Sequence, residues 1–245
     1  MFRVALKDLM ARKRRLVTTG LAVVLGIAFL SGTQVLSTVL RDSIDSLITD
    51  VYEGMDVIVR SPEAQDLGFG QEVRTPVDAA AVDQVAAVDG VRVARGVIET
   101  ASVQLIGADG KVVGSNIGPP TLVYNWLDAP DLQPGVLTDG REPREEGEVA
   151  LDFASAEDAG YQIGDSVTVN GPEGPEPFEL VGTMGLGEDG TRSSGARVLI
   201  FVTPVAQRLG QMPDQFNFVA AAAEEGVSEE ELTERIGDEL PELQS

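Results

Sequence analysis

Apolar and polar positions divide the chain into an N-terminal part patterned at helical spacing and a longer part patterned like strands. From Leu16 to Leu40, 25 residues carry no charge, beginning LVTTGLAVVLGIAFLSGTQVL. At 1.5 Å per residue the first 21 of these span roughly 30 Å, the hydrocarbon thickness of a bilayer. A soluble helix of this length shows a polar stripe and this run has none, so residues 16–40 are expected to form a transmembrane helix. The run exceeds the ~7–15 apolar residues of a cleaved leader, and no Ala-x-Ala-like site closes it, so a retained anchor is expected. Further on, Leu36, Leu40, Ile44, Leu47, Ile48 and Val51 continue a helical stripe, with Arg41, Asp42, Asp45 and Asp50 on other faces. That pattern predicts an amphipathic stalk over 41–53, stopped at Gly54.

Residues 54–245 read as one outer domain. Asp56–Arg60 alternates as a strand, and Thr75-Pro76 opens a predicted helix through Val88 with Asp78 in its first turn. Val91–Leu105 and Val112–Ile117 read as strands joined by a hairpin at Ala108-Asp109-Gly110. After the Pro-rich loop at Gly118-Pro119-Pro120, strands are predicted at Glu148–Asp152, Ser166–Val169, Phe178–Met184, Arg197–Val202 and Phe216–Ala222. Short helices are predicted near Ala154–Ala159, over 204–210 and over Ser228–Leu240. Ser228 and Glu231 make a capping box before Leu232 and Ile236. A Gly/Pro/Glu turn at 171–177 and the GLGEDGTRSSG loop separate strands. The interleaving is that of an α+β domain, with helices too few and short for a doubly wound sheet.

Charge orients this plan. Residues 1–15 hold six Lys or Arg against Asp8, a net +5, while the whole chain carries −22. Arg12, Lys13, Arg14 and Arg15 abut the apolar run, and cytoplasmic flanks are enriched in such residues. They are the expected membrane-orienting residues, placing the N-terminus in the cytoplasm and everything after Leu40 outside, in a single pass of the plasma membrane. Each contributes on the order of 1 kcal/mol near anionic lipid. Before them, Phe2, Ala5, Leu6, Leu9 and Met10 fall at helical spacing, which fits either an interfacial amphipathic helix or a flexible basic leader. Within the run, Thr18, Ala22 and Gly26 repeat every four residues, as do Ala28 and Gly32. Ala22, Gly26 and Gly32 are the candidate helix-packing positions for a neighbouring helix.

Composition narrows the chemistry. The −27 left on residues 16–245 is unsuited to nucleic acid or an anionic membrane surface. The chain has no Cys and no His, which removes the Ser-His-Asp and Cys-His nucleophile systems and the usual zinc ligand sets. Lys111, the one Lys past the apolar run, sits in the hairpin turn and makes a Ser-Lys pair improbable. Paired carboxylates of the glycosidase kind remain, yet Trp126 is the single Trp and Tyr numbers three, a poor supply of sugar-stacking platforms. Glu188-Asp189-Gly190 lacks the alternating acid ligands of a calcium loop and reads as a turn. No metal or cofactor is expected, and no Gly-x4-Gly-Lys-Ser/Thr phosphate loop is present, so the chain is not itself an ATPase.

Two stretches carry a resemblance to a known family. ALKDLMARKRRLVTTGLAVVLGIAFLSGT, followed by an outer domain, resembles the start of a MacB/FtsX-type ABC transporter permease. LQPGVLTDGREPREEGEVALDFASAEDAGYQIGDSVTVN resembles the sequence of that family's periplasmic core domain, here through Gly140-Arg141, Gly147-Glu148-Val149, Ala156, Gly160 and Gly164-Asp165. PFELVGT at 177–183 matches the strand that usually follows. These are fold markers: the glycines end elements, Asp165 suits backbone amides in a turn, and Glu148 and Arg141 suit a pair.

The resemblance implies a non-catalytic permease part whose extracytoplasmic MacB-like core couples to ATP hydrolysis by a separate nucleotide-binding subunit, for export or mechanotransmission. The partners it implies are that ATP-binding subunit, further permease helices or a second permease copy, and the lipid bilayer. Such a permease continues into three further membrane helices, so the chain is expected to be the first part of a longer product or a reduced relative working with another subunit. The alternative reading is a stand-alone, membrane-anchored surface binding or regulatory module.

Overall fold

The computed structural model describes residues 20–21, 23–27, 29, 31, 55–66, 72–114, 120–133, 135–186, 190 and 196–243. Two compact units emerge, Met1–Thr49 and Asp50–Ser245. In the first, the described residues are helical, and Leu21, Val23, Val24, Leu25, Ile27 and Phe29 are all exposed. Among the described residues no helix is long and apolar enough to cross a membrane. The predicted basic segment, the stalk at 41–53 and much of the predicted span lie outside them.

The second unit is built from β1 (Val57–Val59), β2 (Ala64–Asp66), β3 (Glu72–Arg74), β4 (Val77–Asp78), α1 (Ala80–Ala86), β5 (Val91–Val97), β6 (Glu99–Thr100), β7 (Gln104–Ile106) and β8 (Thr121–Asn125). It continues with β9 (Val136–Gly140), β10 (Glu148–Asp152), α2 (Phe153–Ala159), β11 (Ser166–Gly171), β12 (Gly174–Gly185) and β13 (Arg197–Phe201). Last come α3 (Thr203–Leu209), β14 (Gln215–Phe216), β15 (Phe218–Ala223) and α4 (Glu229–Glu239). A small sheet has the order β1-β15-β5, and an eight-stranded sheet the order β6-β8-β13-β10-β12-β11-β7, with β9 on the second half of β12. This is the α+β architecture expected.

Strand periodicity sorts the side chains into three apolar layers. Val149 and Leu151 of β10 and Leu199 and Phe201 of β13 face α2 and α3, and the rings of Phe178 and Phe201 meet edge-on at 4.8 Å. Their neighbours Ala150 and Ile200 point the other way, against Phe218, Ala220 and Ala222 of the small sheet. Val219 and Ala221 then face α1 and α4 through Val85, Leu232 and Ile236. The order is helices, large sheet, small sheet, helices, so β10 and most of β15 are buried on both faces. A strand buried on both sides must be apolar at odd and even positions alike, as VALD and FVAAAA nearly are.

The chain leaves the small sheet after Val97, supplies every strand of the large sheet, and returns at Gln215, where β14 pairs with β4. The small-sheet half is thus a frame made of residues 55–97 and 215–243. The large-sheet half is a continuous insert, residues 99–214.

Several expectations change in the structure. The predicted helix from Thr75 begins only at Ala80, because Val77 and Asp78 pair with Phe216 and Gln215, and the Asp78 Oδ1 accepts from Ala80 N at 2.9 Å. The long strand Val91–Leu105 divides into β5, β6 and β7, shared between the two sheets. Val112 makes only an isolated bridge to Ile106. The predicted turn at 171–177 is mostly strand: β11 and β12 pair up to Gly171↔Gly174, with Pro175 and Pro177 on a stretch where β10 has not yet joined the other side. There the missing amide N–H costs no ladder bond on that side. β2, β3, β8 and β9 were not expected.

Candidate functional site

Several of the residues shared with the family pattern, Gly140, Arg141, Glu148 and Gly182 among them, gather at the start of β10. Gly140 closes β9 with φ +73°, and a methyl there would sit 2.3 Å from Val181 O. Across from it, a methyl on Gly182 would lie 2.2 Å from Arg141 O. Two glycines therefore let the backbone following β9 press against β12, where Arg141 N donates to Val181 O at 2.9 Å. The chain then loops through 142–147 and re-enters as Glu148, whose side chain is 10 % exposed. Its Oε2 accepts from Arg141 Nη1 at 2.8 Å, Arg144 N at 2.7 Å and Glu145 N at 3.2 Å, and its Oε1 pairs with Arg141 Nη2. The expected Arg141–Glu148 pair is present and carries two backbone amides besides.

This clamp has a definite electrostatic state. The Arg141 guanidinium, reinforced by the amides of Arg144 and Glu145, outweighs burial and holds the Glu148 carboxyl at about 2. A carboxylate so fixed stays ionised near neutrality and has no proton to give, so the arrangement orders a loop. Asp165 plays the turn role expected of it, accepting from Gln162 N at 2.8 Å beside Gly164 at φ +94°. Ala156 is buried in α2, and Gly160 ends that helix in the left-handed conformation at φ +75°.

A surface cavity of about 530 Å³ lies between the 107–114 hairpin and residues 157–160. Lys111 is in the predicted turn, with Gly107 N donating to Lys111 O at 2.8 Å. Its Nζ lies 2.7 Å from Asp109 Oδ2. The contact raises the ammonium's pKa and lowers the carboxyl's, so the pair is charged at neutral pH. Glu157 and Asp158 line the same cavity. Among the described residues no group of three or more acids is placed to hold a metal, and Glu188 and Asp189 lie outside them.

The junction of frame and insert holds polar residues that sequence reasoning missed. Asn125, 3 % exposed at the end of β8, accepts from Ile98 N at 2.7 Å and donates to Gly96 O at 2.9 Å and Thr203 Oγ1 at 3.2 Å. Asn217 Oδ1 accepts from Glu99 N at 2.7 Å, while its backbone N donates to Val97 O at 2.9 Å. Burial raises the pKa of Glu99, against a hydrogen bond from Tyr124 and the charge of Arg60. The one hint in the sequence is a polar amide closing the apolar run TLVYN. Of the predicted membrane residues, Arg12, Lys13, Arg14, Arg15, Ala22 and Gly32 lie outside the described residues. Gly26 is helical and exposed, and a methyl on it would meet nothing within 4 Å.

Residues 16–239 match the family model of the MacB-like periplasmic core domain. The chain is similar to the periplasmic region of MacB from Actinobacillus actinomycetemcomitans, at TM-score 0.52 and 13% identity, over 76% of this chain and 85% of that one. It is also similar to a domain assigned to a permease protein of Porphyromonas gingivalis, at TM-score 0.51 and 15% identity, over 79% and 84%. The extracellular domain of the noncanonic ABC-type transporter YknZ from Gram-positive bacteria aligns at TM-score 0.49 and 13% identity, over 77% and 97%. No curated protein matches the chain. At these identities the MacB and Porphyromonas structures share its fold.

Proposed function

The chain belongs to the family of MacB-like periplasmic core domains, and from that premise we propose that it is the anchor and extracytoplasmic core of an ABC transporter permease. In this reading the outer domain couples to ATP hydrolysis on a separate nucleotide-binding subunit, for export or for transmitting motion across the membrane. The observation that carries it is the extent of the family match, which starts at residue 16 in the uncharged run and ends in α4. A match running from the uncharged run into α4 supports the reading of anchor and core as one family unit. Arg12 to Arg15 hold the N-terminus in the cytoplasm, and Ala22, Gly26 and Gly32 offer a close-packing stripe to a neighbouring permease helix.

Two measurements test this. The chain has no Cys, so single substitutions report topology directly with a membrane-impermeant maleimide. Glu225→Cys is expected to label on intact cells and Lys13→Cys only after permeabilisation; equal labelling of both would reject the orientation. Purified in nanodiscs, the chain is expected to bring down an ATP-binding subunit, whose ATPase rate changes on association. A monomer that recruits no such subunit would leave the anchored binding or regulatory module in place of the transporter.

A further inference from the structure

The frame and the insert are connected by two stretches of chain that lie side by side. The outward one is Ile98 to Ser102 and the return one Leu209 to Asn217: Ser102 Oγ donates to Leu209 O at 2.7 Å, and Asn217 binds Val97 and Glu99. Two adjacent crossings are the geometry at which hinges form. Here, however, each is pinned. The Asn125 carboxamide takes the N–H of Ile98 and fills the C=O of Gly96, the pattern a neighbouring strand would present, and so fastens the last frame residues to the insert. Asn217 fastens one crossing to the other. A methyl on Gly96 would lie 2.4 Å from the Phe216 ring, so that ring rests directly on the end of β5, just before the first crossing. The return crossing runs through Gln211 and Asp214, both at φ +56°, a backbone region that non-glycine residues keep only where their surroundings fix it.

We infer that the outer domain is a rigid lever in which frame and insert move as one body, with Asn125 and Asn217 as positioning residues that fix the angle between the two sheets. Apolar packing alone does not fix that angle. The layer between the sheets is lined by Ala150, Ala220 and Ala222 among larger neighbours, and apolar burial is non-directional. Hydrogen bonds, by contrast, weaken steeply with distance and angle, and a buried amide left unpaired is the costly state of that group. Any rotation between the sheets strains the Asn125 bonds to Gly96 O and Ile98 N together, so the layer supplies cohesion and the amides supply orientation. Both ends of the outer domain, β1 and α4, belong to the frame, so displacement reaching the frame is delivered undiminished to the insert. In a permease this would serve coupling, but the geometry stands without that reading.

The test uses the full chain in detergent, with spin labels on Glu157→Cys of α2 and Glu234→Cys of α4, the outer helices of the two halves. Pulsed dipolar spectroscopy is expected to give one narrow distance. Asn125→Ala and Asn217→Ala, made separately, are each expected to broaden it while amide-exchange protection within β10, β13 and β15 persists. Protection at Ile98 and Glu99 should fall about fivefold, the equivalent of one net hydrogen bond. A broad or two-peaked distance in the unsubstituted protein would overturn the inference in favour of a hinge. Variants that unfold at lower temperature with an unchanged distance would also overturn it, by reducing the amides to general stabilisation. Should Asn125→Ala fail to fold, Asn217→Ala and the unsubstituted distance decide. None of these readouts involves transport, so failure of the permease reading would leave them untouched.

Discussion

The insert and the frame bury similar layers of side chains in different ways. The insert is a continuous stretch of chain whose tightest feature is ionic, with Glu148 held by Arg141 and two amides within seven residues of sequence. The frame is assembled from segments more than a hundred residues apart, such as β1 and β15, and is held by apolar strands under α1 and α4. Local bracing closes a short loop, whereas the pairing of β5 with β15 must close one of more than a hundred residues. The insert should therefore tolerate damage to the frame better than the frame tolerates damage to the insert.

The largest break in that comparison is expected from Gly182→Ala. Its methyl would lie 2.2 Å from Arg141 O and 3.0 Å from Arg141 N. Both neighbours are backbone, so no rotamer change relieves the clash, and a cost of about 3 kcal/mol or more is expected. A loss of roughly 6–12 °C in melting temperature follows for a chain of this size. Calorimetry that shows no loss would mean β9 and β12 are not in this register.

Next is Glu148→Gln, which keeps the shape and removes the charge that gathers the donors. About 2 kcal/mol is expected, the range for hydrogen bonds to a charged group. The pH dependence identifies the cause. The folded pKa of about 2 lies below the ordinary 4.5, so the contribution is complete above pH 4.5 and is lost as pH falls from there towards 2. The variant should lack that acid-sensitive component. An unchanged acid limb in Glu148→Gln would show that other carboxylates govern it.

The same contrast explains what could be read from the sequence. The clamp was legible because Arg141 and Glu148 are close in sequence within a recognisable pattern. Helix α4 was legible from Ser228 and the Leu232, Ile236 spacing, and Ser228 Oγ does accept from Glu231 N at 3.2 Å. The long segment Val91–Leu105 was misread because alternation continues through the crossing at Ile98 and cannot show a change of sheet. The Thr75 helix start failed because β4 depends on Phe216, over a hundred residues away. Asn125 and Asn217 act through partners 27 and 118 residues distant, so nothing local marks them. The edge strands β2 and β9 carry mixed polar sequence without the strong alternation of a half-buried strand.

A smaller effect probes the frame alone. Ser228→Ala removes the side-chain acceptor at the start of α4, and a cap of this kind is worth about 1 kcal/mol. Leu232 and Ile236 remain buried against the small sheet, so the helix should fray at its first turn without undocking. Amide exchange is expected to quicken at Glu230 and Glu231 and to stay slow in β10. Equal acceleration in both halves would show that the cap is coupled to the insert, and the contrast between local and assembled bracing would fail.

The smallest expected change has the opposite sign and falls at the junction. Glu99 is pushed up by burial, only partly offset by Tyr124 and Arg60, so ionising it is harder in the folded protein than in the unfolded chain. Its contribution is most favourable below the ordinary carboxyl pKa and declines as pH rises through the raised value, the reverse of Glu148. Glu99→Gln retains an acceptor for Tyr124 and removes the buried charge. A gain in melting temperature is therefore expected at pH 7, shrinking towards zero as the pH falls below the carboxyl range. The Glu99 amide, bound to Asn217 Oδ1 at 2.7 Å, should keep its protection, since the side chain does not make that bond. A loss of stability at pH 7 would instead mean that the attraction of Arg60 for the ionised carboxylate outweighs desolvation, and the junction would then be braced by charge in the manner of the insert.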